Sequence, residues 1–266
     1  MVFIYLELIM SVNDFSQRFA GIQRLYGDER AKRIFASHVC VIGIGGVGSW
    51  VAESLVRSGI GEITLIDNDD IALSNINRQI HTLDSTLGRQ KVVAMADRLR
   101  QINPGLIVNL IDDYITVKTF EEYLSKGYDY VVDAIDSIKF KTLMINYCKR
   151  NKIPIMMIGG AGGLTDPTKI EVVDLSRTYN DPLAAKVRSK LRQEFGFSKN
   201  PKRKFGVECV FSTQQQVYPQ DDGTVSQQKP GIHGVSLDCR FGYGASSCVT
   251  ATFGFVAAAR VMEKFK

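Results

Sequence analysis

Residues 40–50 read CVIGIGGVGSW, an apolar run that ends in glycines at 43, 45, 46 and 48. A continuous apolar run of this length fits a strand buried on both faces. The glycines let the backbone turn sharply and approach a phosphate, whose charge then faces the N–H groups at the start of a helix. Gly43, Gly45 and Gly48 satisfy G-x-G-x-x-G, and Gly46 is an addition to it. GSWVAESLVRSGI has helical spacing, with Val51, Leu55 and Val56 on one face, and EITLID reads as a second strand. Together these form a βαβ unit. Asp67 follows the second strand, nineteen residues after Gly48, a spacing that suits a carboxylate accepting hydrogen bonds from a ribose. The turn alone leaves NAD and ATP equally open as its ligand.

The alternation continues downstream. GRQKVVAMADRLRQINP, TFEEYLSKG and IKFKTLMINYCKRNK read as helices. LIVNLID, YDYVVDAID, IPIMMIGGAGG and TKIEVVDLSR read as strands, and one or two short helices precede the first strand. The expected architecture is a Rossmann-like α/β fold with a doubly wound, mainly parallel sheet. After Arg177 the pattern breaks into a basic helix (DPLAAKVRSKLRQEFGF), the loop SKNPKRKFG, which composition marks as a candidate for disorder, a late strand, a polar stretch and a last apolar helix. There are no internal repeats.

The 266 residues carry a formal charge of +5, and most of the excess is local. Residues 186–204 hold eight Lys/Arg and one Glu, against 25 basic and 27 acidic residues elsewhere. Such a segment suits a polyanionic partner or a solvated loop. Five cysteines with no C-x-x-C argue against a disulfide framework and a zinc ribbon, and they fit a reducing cytoplasm. Residues 241–259 carry no charge, but their Gly, Ser and Thr content favours a core helix over a membrane span, leaving membrane association as the alternative localisation. The apolar first ten residues lack a signal-peptide pattern. Met10, followed by polar SVND, is the expected native start, and residues 1–13 are expected to be a poorly packed extension.

Arg78 and Lys91 lie just beyond Asp67. An NAD enzyme has no need of two cations there, whereas a triphosphate does: they neutralise its β- and γ-phosphates and stabilise departing pyrophosphate. Asp133 and Asp136 close the fourth strand, where a carboxylate suits Mg²⁺. Asp133 alternatively caps the next helix. GGAGG either approaches the nucleotide or lets two loops pass closely. His38, His81 and His233 are scattered and show no zinc-site spacing.

GIGGVGSW, DNDDIALSNINRQ, GRQK and DAIDS resemble the adenylating domain of the ubiquitin-activating-like superfamily, which includes the molybdopterin and thiamine sulfur-carrier adenylyltransferases. The resemblance implies that Gly43, Gly45, Gly46, Gly48, Asp67, Asp69, Asn75, Arg78, Gln79 and Lys91 bind ATP, with Asp67 on the ribose. Arg78, Lys91 and Asp136 would be catalytic, Asp136 as the Mg²⁺ ligand. It further implies a homodimer lending an N-terminal arginine across its interface, Arg18 or Arg24. No zinc is expected, and a monovalent cation is left open.

GGAGGLTDPTKIEVVDL, DPLAAKVR, GVECVFS and DCRFGYGASSCVTATFGFVAA extend the resemblance, over residues 14–262, to the tRNA threonylcarbamoyladenosine dehydratases. That implies a tRNA carboxylate as substrate: adenylation, loss of pyrophosphate, then ring closure within the nucleoside and loss of AMP, for a net loss of water. Lys186, Arg188, Lys190, Arg192, Lys202, Arg203 and Lys204 become candidates for holding the anticodon loop. Cys209 and Cys239 are candidates for an acyl-capturing thiol, a role that intramolecular closure makes unnecessary. The expected organisation is one adenylating domain over 14–266, with a nucleotide-binding core at 35–175, a basic insertion at 176–215 and a C-terminal segment and helix at 216–266. The alternatives are an adenylyltransferase for a ubiquitin-like sulfur carrier and a non-enzymatic nucleotide-binding scaffold, with cysteine desulfurases or sulfur acceptors open as partners. No stable membrane partner is expected.

Overall fold

The computed structural model describes residues 2–220, 222–228 and 244–266, with side chains from residue 14 onward. Helices α1 (Val2–Tyr26) and α2 (Asp28–Ala36) precede the sheet. They are divided at Gly27, whose φ of 77° lies in the left-handed region that a side chain disfavours. The expected short helix is therefore a 25-residue one that runs back to Val2. The packing expected of residues 1–13 falls outside the described side chains.

Seven strands follow: β1 (His38–Ile42), β2 (Glu62–Ile66), β3 (Ile107–Ile111), β4 (Tyr130–Asp133), β5 (Ile155–Ile158), β6 (Ile170–Asp174) and β7 (Glu208–Ser212). Their order is β3-β2-β1-β4-β5-β7-β6. All neighbours are parallel except β6 and β7, which pair antiparallel. Successive residues of a strand face opposite sides, so both faces of the sheet carry apolar groups. On one face, Val39, Val41, Ile63 and Leu65 pack with α3 (Gly48–Arg57), α4 (Lys91–Ile102) and α8 (Ser247–Met262). On the other, Cys40, Ile42, Met157 and Phe211 pack with α6 (Ile138–Arg150) and α7 (Pro182–Glu194). The short α5 (Phe120–Leu124) also lies on this second side, and β8 (Tyr218–Pro219) and β9 (Val225–Ser226) form a small hairpin.

The uncharged segment near the C-terminus supplies α8, a core helix as expected. A Cβ on Gly254 would stand 2.6 Å from Cβ of Trp50, so glycine permits the close α3–α8 approach. No helix among the described residues is long and apolar enough to cross a membrane. Residues 241–243 of the segment lie outside the described residues.

Two expectations change. Residues 208–212, assigned to a basic insertion, form β7 and sit between β5 and β6, so the sheet does not end at residue 175. The loop SKNPKRKFG is tied down rather than disordered. The Asp174 carboxylate accepts hydrogen bonds from N–H of Phe205, Gly206 and Val207 at 2.9, 2.7 and 3.3 Å, and Phe205 is buried. Burial alone would raise the Asp174 pKa, but these bonds and those to Ser176 hold it below the ordinary value.

The neighbours of β1 lead away on opposite sides, β2 toward one edge and β4 toward the other. The carboxyl ends of β1 and β4 therefore flank the topological switch point, where open α/β sheets bind ligands.

Candidate functional site

The glycine turn leaves β1 at that switch point. Gly43 N donates to Ile66 O and Ala134 N donates to Ile42 O, both at 2.8 Å, so the turn is held between the ends of β2 and β4. Gly43 has φ 87°, and a Cβ on it would meet the Ala134 backbone at 3.0 Å. A Cβ on Gly48 would stand 1.8 Å from the Gly43 carbonyl oxygen. These two glycines close the turn. Gly45 and Gly46 line its open side, where added Cβ atoms would meet Gln79 Nε2 at 3.8 Å and Arg78 Cδ at 3.4 Å. The N–H groups of Gly45, Gly46 and Val47 make no hydrogen bond among the described residues. Unpaired donors at the start of α3, aligned with its dipole, form an anion cradle.

Asp67 fastens this cradle to β2. Its Oδ2 accepts from Ile44 N at 2.6 Å and its Oδ1 from Asp69 N at 2.9 Å. Burial raises its pKa, while the Lys91 charge and these two bonds oppose the rise. Each oxygen keeps a further lone pair, so a ribose hydroxyl still has an acceptor.

The segment after β2 brings the expected cations to the turn. Lys91, the first residue of α4, is buried, and its Nζ donates to Asp69 Oδ2 at 2.6 Å. Arg78 is half-buried. Its Nη1 donates to Ser74 O and Asn77 Oδ1, and its carbonyl accepts from Trp50 Nε1 at 2.9 Å. Gln79 is buried, and its Oε1 has no partner among the described residues. Asn75 is buried and supports the backbone, accepting from Ala72 N at 3.1 Å. His81 is buried behind this layer. Burial first, then the charges of Lys91 and Arg98, push its pKa down to about 4.

The two carboxylates after β4 separate into different roles. Asp136 is exposed on the loop two residues beyond Ala134, the residue that abuts Gly43, and makes no hydrogen bond among the described residues. One such carboxylate suits Mg²⁺, which is commonly held by one or two carboxylates together with substrate phosphates. Among the described residues, no group of three or more His, Cys, Asp or Glu could hold a metal ion. Asp133 does not cap α6. It is fully buried, and its Oδ1 and carbonyl accept from Lys141 Nζ at 3.0 and 3.1 Å. The position before α6 is filled by Ser137.

The other candidates lie apart. Arg18 and Arg24 are both exposed, and Arg18 donates to Asp14 and to the Ile102 carbonyl. Arg188 bonds the Thr178 hydroxyl, Lys190 pairs with Glu194, and Arg192 lies over the Phe205 ring. Lys186, Lys202, Arg203 and Lys204 are exposed. Residues 202–204 precede β7, which runs parallel to β5, so they stand at the opposite end of the sheet from the glycine turn. Cys209 is fully buried, and burial keeps its thiol well above the ordinary pKa. Cys239 and His233 lie outside the described residues.

Sequence reasoning missed Trp50 and Thr250, which hold the Arg78 carbonyl, and Lys141. A signal for Lys141 was available. It shares the stripe of Met144, Ile145 and Cys148, where a lysine needs a buried partner.

A doubly wound sheet with an anion cradle at its switch point, a ribose-ready carboxylate and two cations defines a nucleotide-binding α/β protein built for a polyphosphate. The chain belongs to the ThiF family, whose model matches residues 17–265. It is 55% identical over 250 residues to the tRNA threonylcarbamoyladenosine dehydratase of Escherichia coli K12, covering 93% of each chain. It is 51% identical over 259 residues to the enzyme of that name from Haemophilus influenzae, covering 97% of each. Among solved structures, it is similar to E. coli tRNA N6-threonylcarbamoyladenosine dehydratase in complex with ATP, with a TM-score of 0.83, 50% identity and 94% of each chain covered.

Proposed function

We propose that this chain is an ATP-dependent dehydratase that converts N6-threonylcarbamoyladenosine in tRNA to its cyclic form. The observation that carries the reading is the juxtaposition of the anion cradle with Asp67, Arg78 and Lys91. High identity over nearly the whole length to enzymes named for this activity supports the choice of substrate.

The cradle N–H groups take phosphate oxygens, and Asp67 takes the ribose. The threonine carboxylate attacks the α-phosphorus, a P–O bond to pyrophosphate breaks, and Arg78 and Lys91 stabilise the charge on the departing group. Asp136 would hold Mg²⁺, which supplies charge neutralisation at the phosphates. A ureido atom of the same nucleoside then attacks the acyl carbon, loses its proton and expels AMP. Both reacting groups belong to one nucleoside, so ring closure gains a large effective molarity without an enzyme nucleophile. The buried, protonated Cys209 is consistent with that economy.

Residues 14–266 act as a single adenylating domain, and the enzyme works as a homodimer. Arg18 is anchored to the Ile102 carbonyl at the end of α4 in its own chain, so Arg24 is the arginine that reaches the partner. Buried thiols at Cys40, Cys148 and Cys209 and an exposed one at Cys248 suit a reducing cytoplasm. The test is which macromolecule drives release of AMP and pyrophosphate. Stimulation by tRNA supports the reading, whereas stimulation only by a ubiquitin-like sulfur carrier overturns it.

A further inference from the structure

A groove of about 430 Å³ lies far from the glycine turn, lined by Arg18, Phe19, Arg57, Arg98, Gln101 and Ile102. Arg57 ends α3, whose ten residues span about 15 Å from the glycine turn. The groove therefore opens at the amino ends of the parallel strands, the end of the sheet at which residues 202–204 also stand, four strands away before β7.

Its charges are unevenly satisfied. Glu53 is 3% exposed and spends both oxygens internally: Oε1 accepts from Arg57 Nε and Arg98 Nη2, and Oε2 from Arg98 Nε. Among the described residues, no hydrogen bond uses either Nη of Arg57, Nη1 of Arg98 or Nη2 of Arg18. A guanidinium carries five donors, so several N–H groups remain to face the groove. Three arginines meet two carboxylates, Glu53 and Asp14, which leaves net positive charge. The C-terminal ends of α3 and α4 point here, and their carbonyls would repel an anion. Arg18 covers one of these, the Ile102 carbonyl. With Glu53 saturated and that carbonyl capped, the remaining guanidinium donors are left for an external oxyanion.

We propose that this groove is a phosphate-binding subsite that grips the tRNA backbone away from the reacting nucleotide. The proposal rests on tRNA being the substrate. It adds guanidinium donors to the exposed Lys186, Lys202, Arg203 and Lys204 of the basic segment. RNA backbone phosphates recur along the strand, so one can lie at the switch point while another reaches the opposite end of the sheet.

The test is binding of bulk tRNA by filter retention across a salt series, using wild type, Arg57→Gln, Arg57→Lys and Arg18→Gln/Arg57→Gln. Arg57→Gln leaves Glu53 paired with Arg98, and unchanged melting checks the fold of each variant. The expected result for Arg57→Gln is several-fold weaker tRNA binding and a salt slope shallower by about 0.7–0.9 for each phosphate the groove no longer neutralises. Arg57→Lys keeps most of the affinity, the double variant binds more weakly still, and the KM for ATP is unchanged. Unaltered affinity and slope in Arg57→Gln overturn the proposal. Inorganic phosphate separates the sources. With the nucleotide site filled by ATP, an inorganic-phosphate ³¹P signal perturbed by wild type but not by Arg57→Gln, with tRNA affinity unaltered, makes this a free-anion site and also overturns the RNA assignment. If the groove fails while wild type still converts the modified adenosine, only the groove is lost. If wild type leaves that nucleoside unchanged, the functional reading fails instead.

Discussion

Lys91 Nζ donates to Asp69 Oδ2 at 2.6 Å, with the lysine side chain 6% exposed and the aspartate 52% exposed. The cation is fixed in a poorly solvated position while its counter-ion stands at the mouth of the site. A polyphosphate entering the cradle meets a charge already oriented, which is what stabilisation of a leaving group requires. Lys91→Ala is expected to lower kcat by about 10²–10³-fold, the usual cost of one such donor. Asp69 remains solvated when its partner is removed, so the variant stays folded. Full turnover would take Lys91 out of the mechanism.

Arg78 provides a parallel test. Among the described residues, its guanidinium bonds only to Ser74 O and Asn77 Oδ1 within its own loop, while Trp50 and Thr250 hold its backbone carbonyl. Arg78→Ala should lose turnover to a similar degree, with a melting temperature close to wild type. A large fall in melting temperature would make the residue structural.

The glycine turn separates two effects of a methyl group. Gly48→Ala places Cβ 1.8 Å from the Gly43 carbonyl oxygen and must displace the turn, at a cost of about 3 kcal/mol or more. Gly88→Ala meets open space and only the strain of φ 76°, about 1–2 kcal/mol. Urea unfolding of the two variants should show this order, and equal effects would contradict the geometry.

His81 predicts a pH dependence. Its folded pKa is about 4, against an ordinary value of 6.5 in the unfolded chain. Between these values the unfolded chain binds a proton that the native state does not. Stability therefore falls as pH drops from about 6.5 to about 4, by up to about 3 kcal/mol. Above pH 6.5 the effect vanishes. His81→Gln should flatten the urea midpoint between pH 7 and 4.5 relative to wild type. An identical pH slope would show that His81 does not titrate in this way.

Cysteine reactivity should follow burial. In native protein, iodoacetamide should modify Cys248 and spare Cys40, Cys148 and Cys209 when the adducts are mapped by peptide mass. Cys209→Ala should keep its turnover. Loss of activity in a folded Cys209→Ala enzyme would reinstate a chemical role for that thiol.

Much of this arrangement was legible because it is local. The turn, Asp67, Arg78 and Lys91 fall within fifty residues of one βαβ unit and its crossover, where spacing alone sets the geometry. The position of Asp136 was legible because a parallel strand ends just before it. What was hidden depends on long-range order. The place of β7 between β5 and β6 follows from how the chain returns, which periodicity does not encode. The clamp of Asp174 on Phe205–Val207 joins residues more than thirty positions apart and orders a loop that looks disordered by composition. Asp133 looked like a cap or metal ligand because its partner, Lys141, lies a helix turn into α6.

The most direct measurement incubates the protein with ATP, Mg²⁺ and tRNA, digests the RNA and weighs its nucleosides. Threonylcarbamoyladenosine is expected to lose the mass of one water, in step with AMP and pyrophosphate release, and Arg78→Ala is expected to abolish the change. An unchanged nucleoside in the presence of folded, ATP-bound protein would contradict the dehydratase reading.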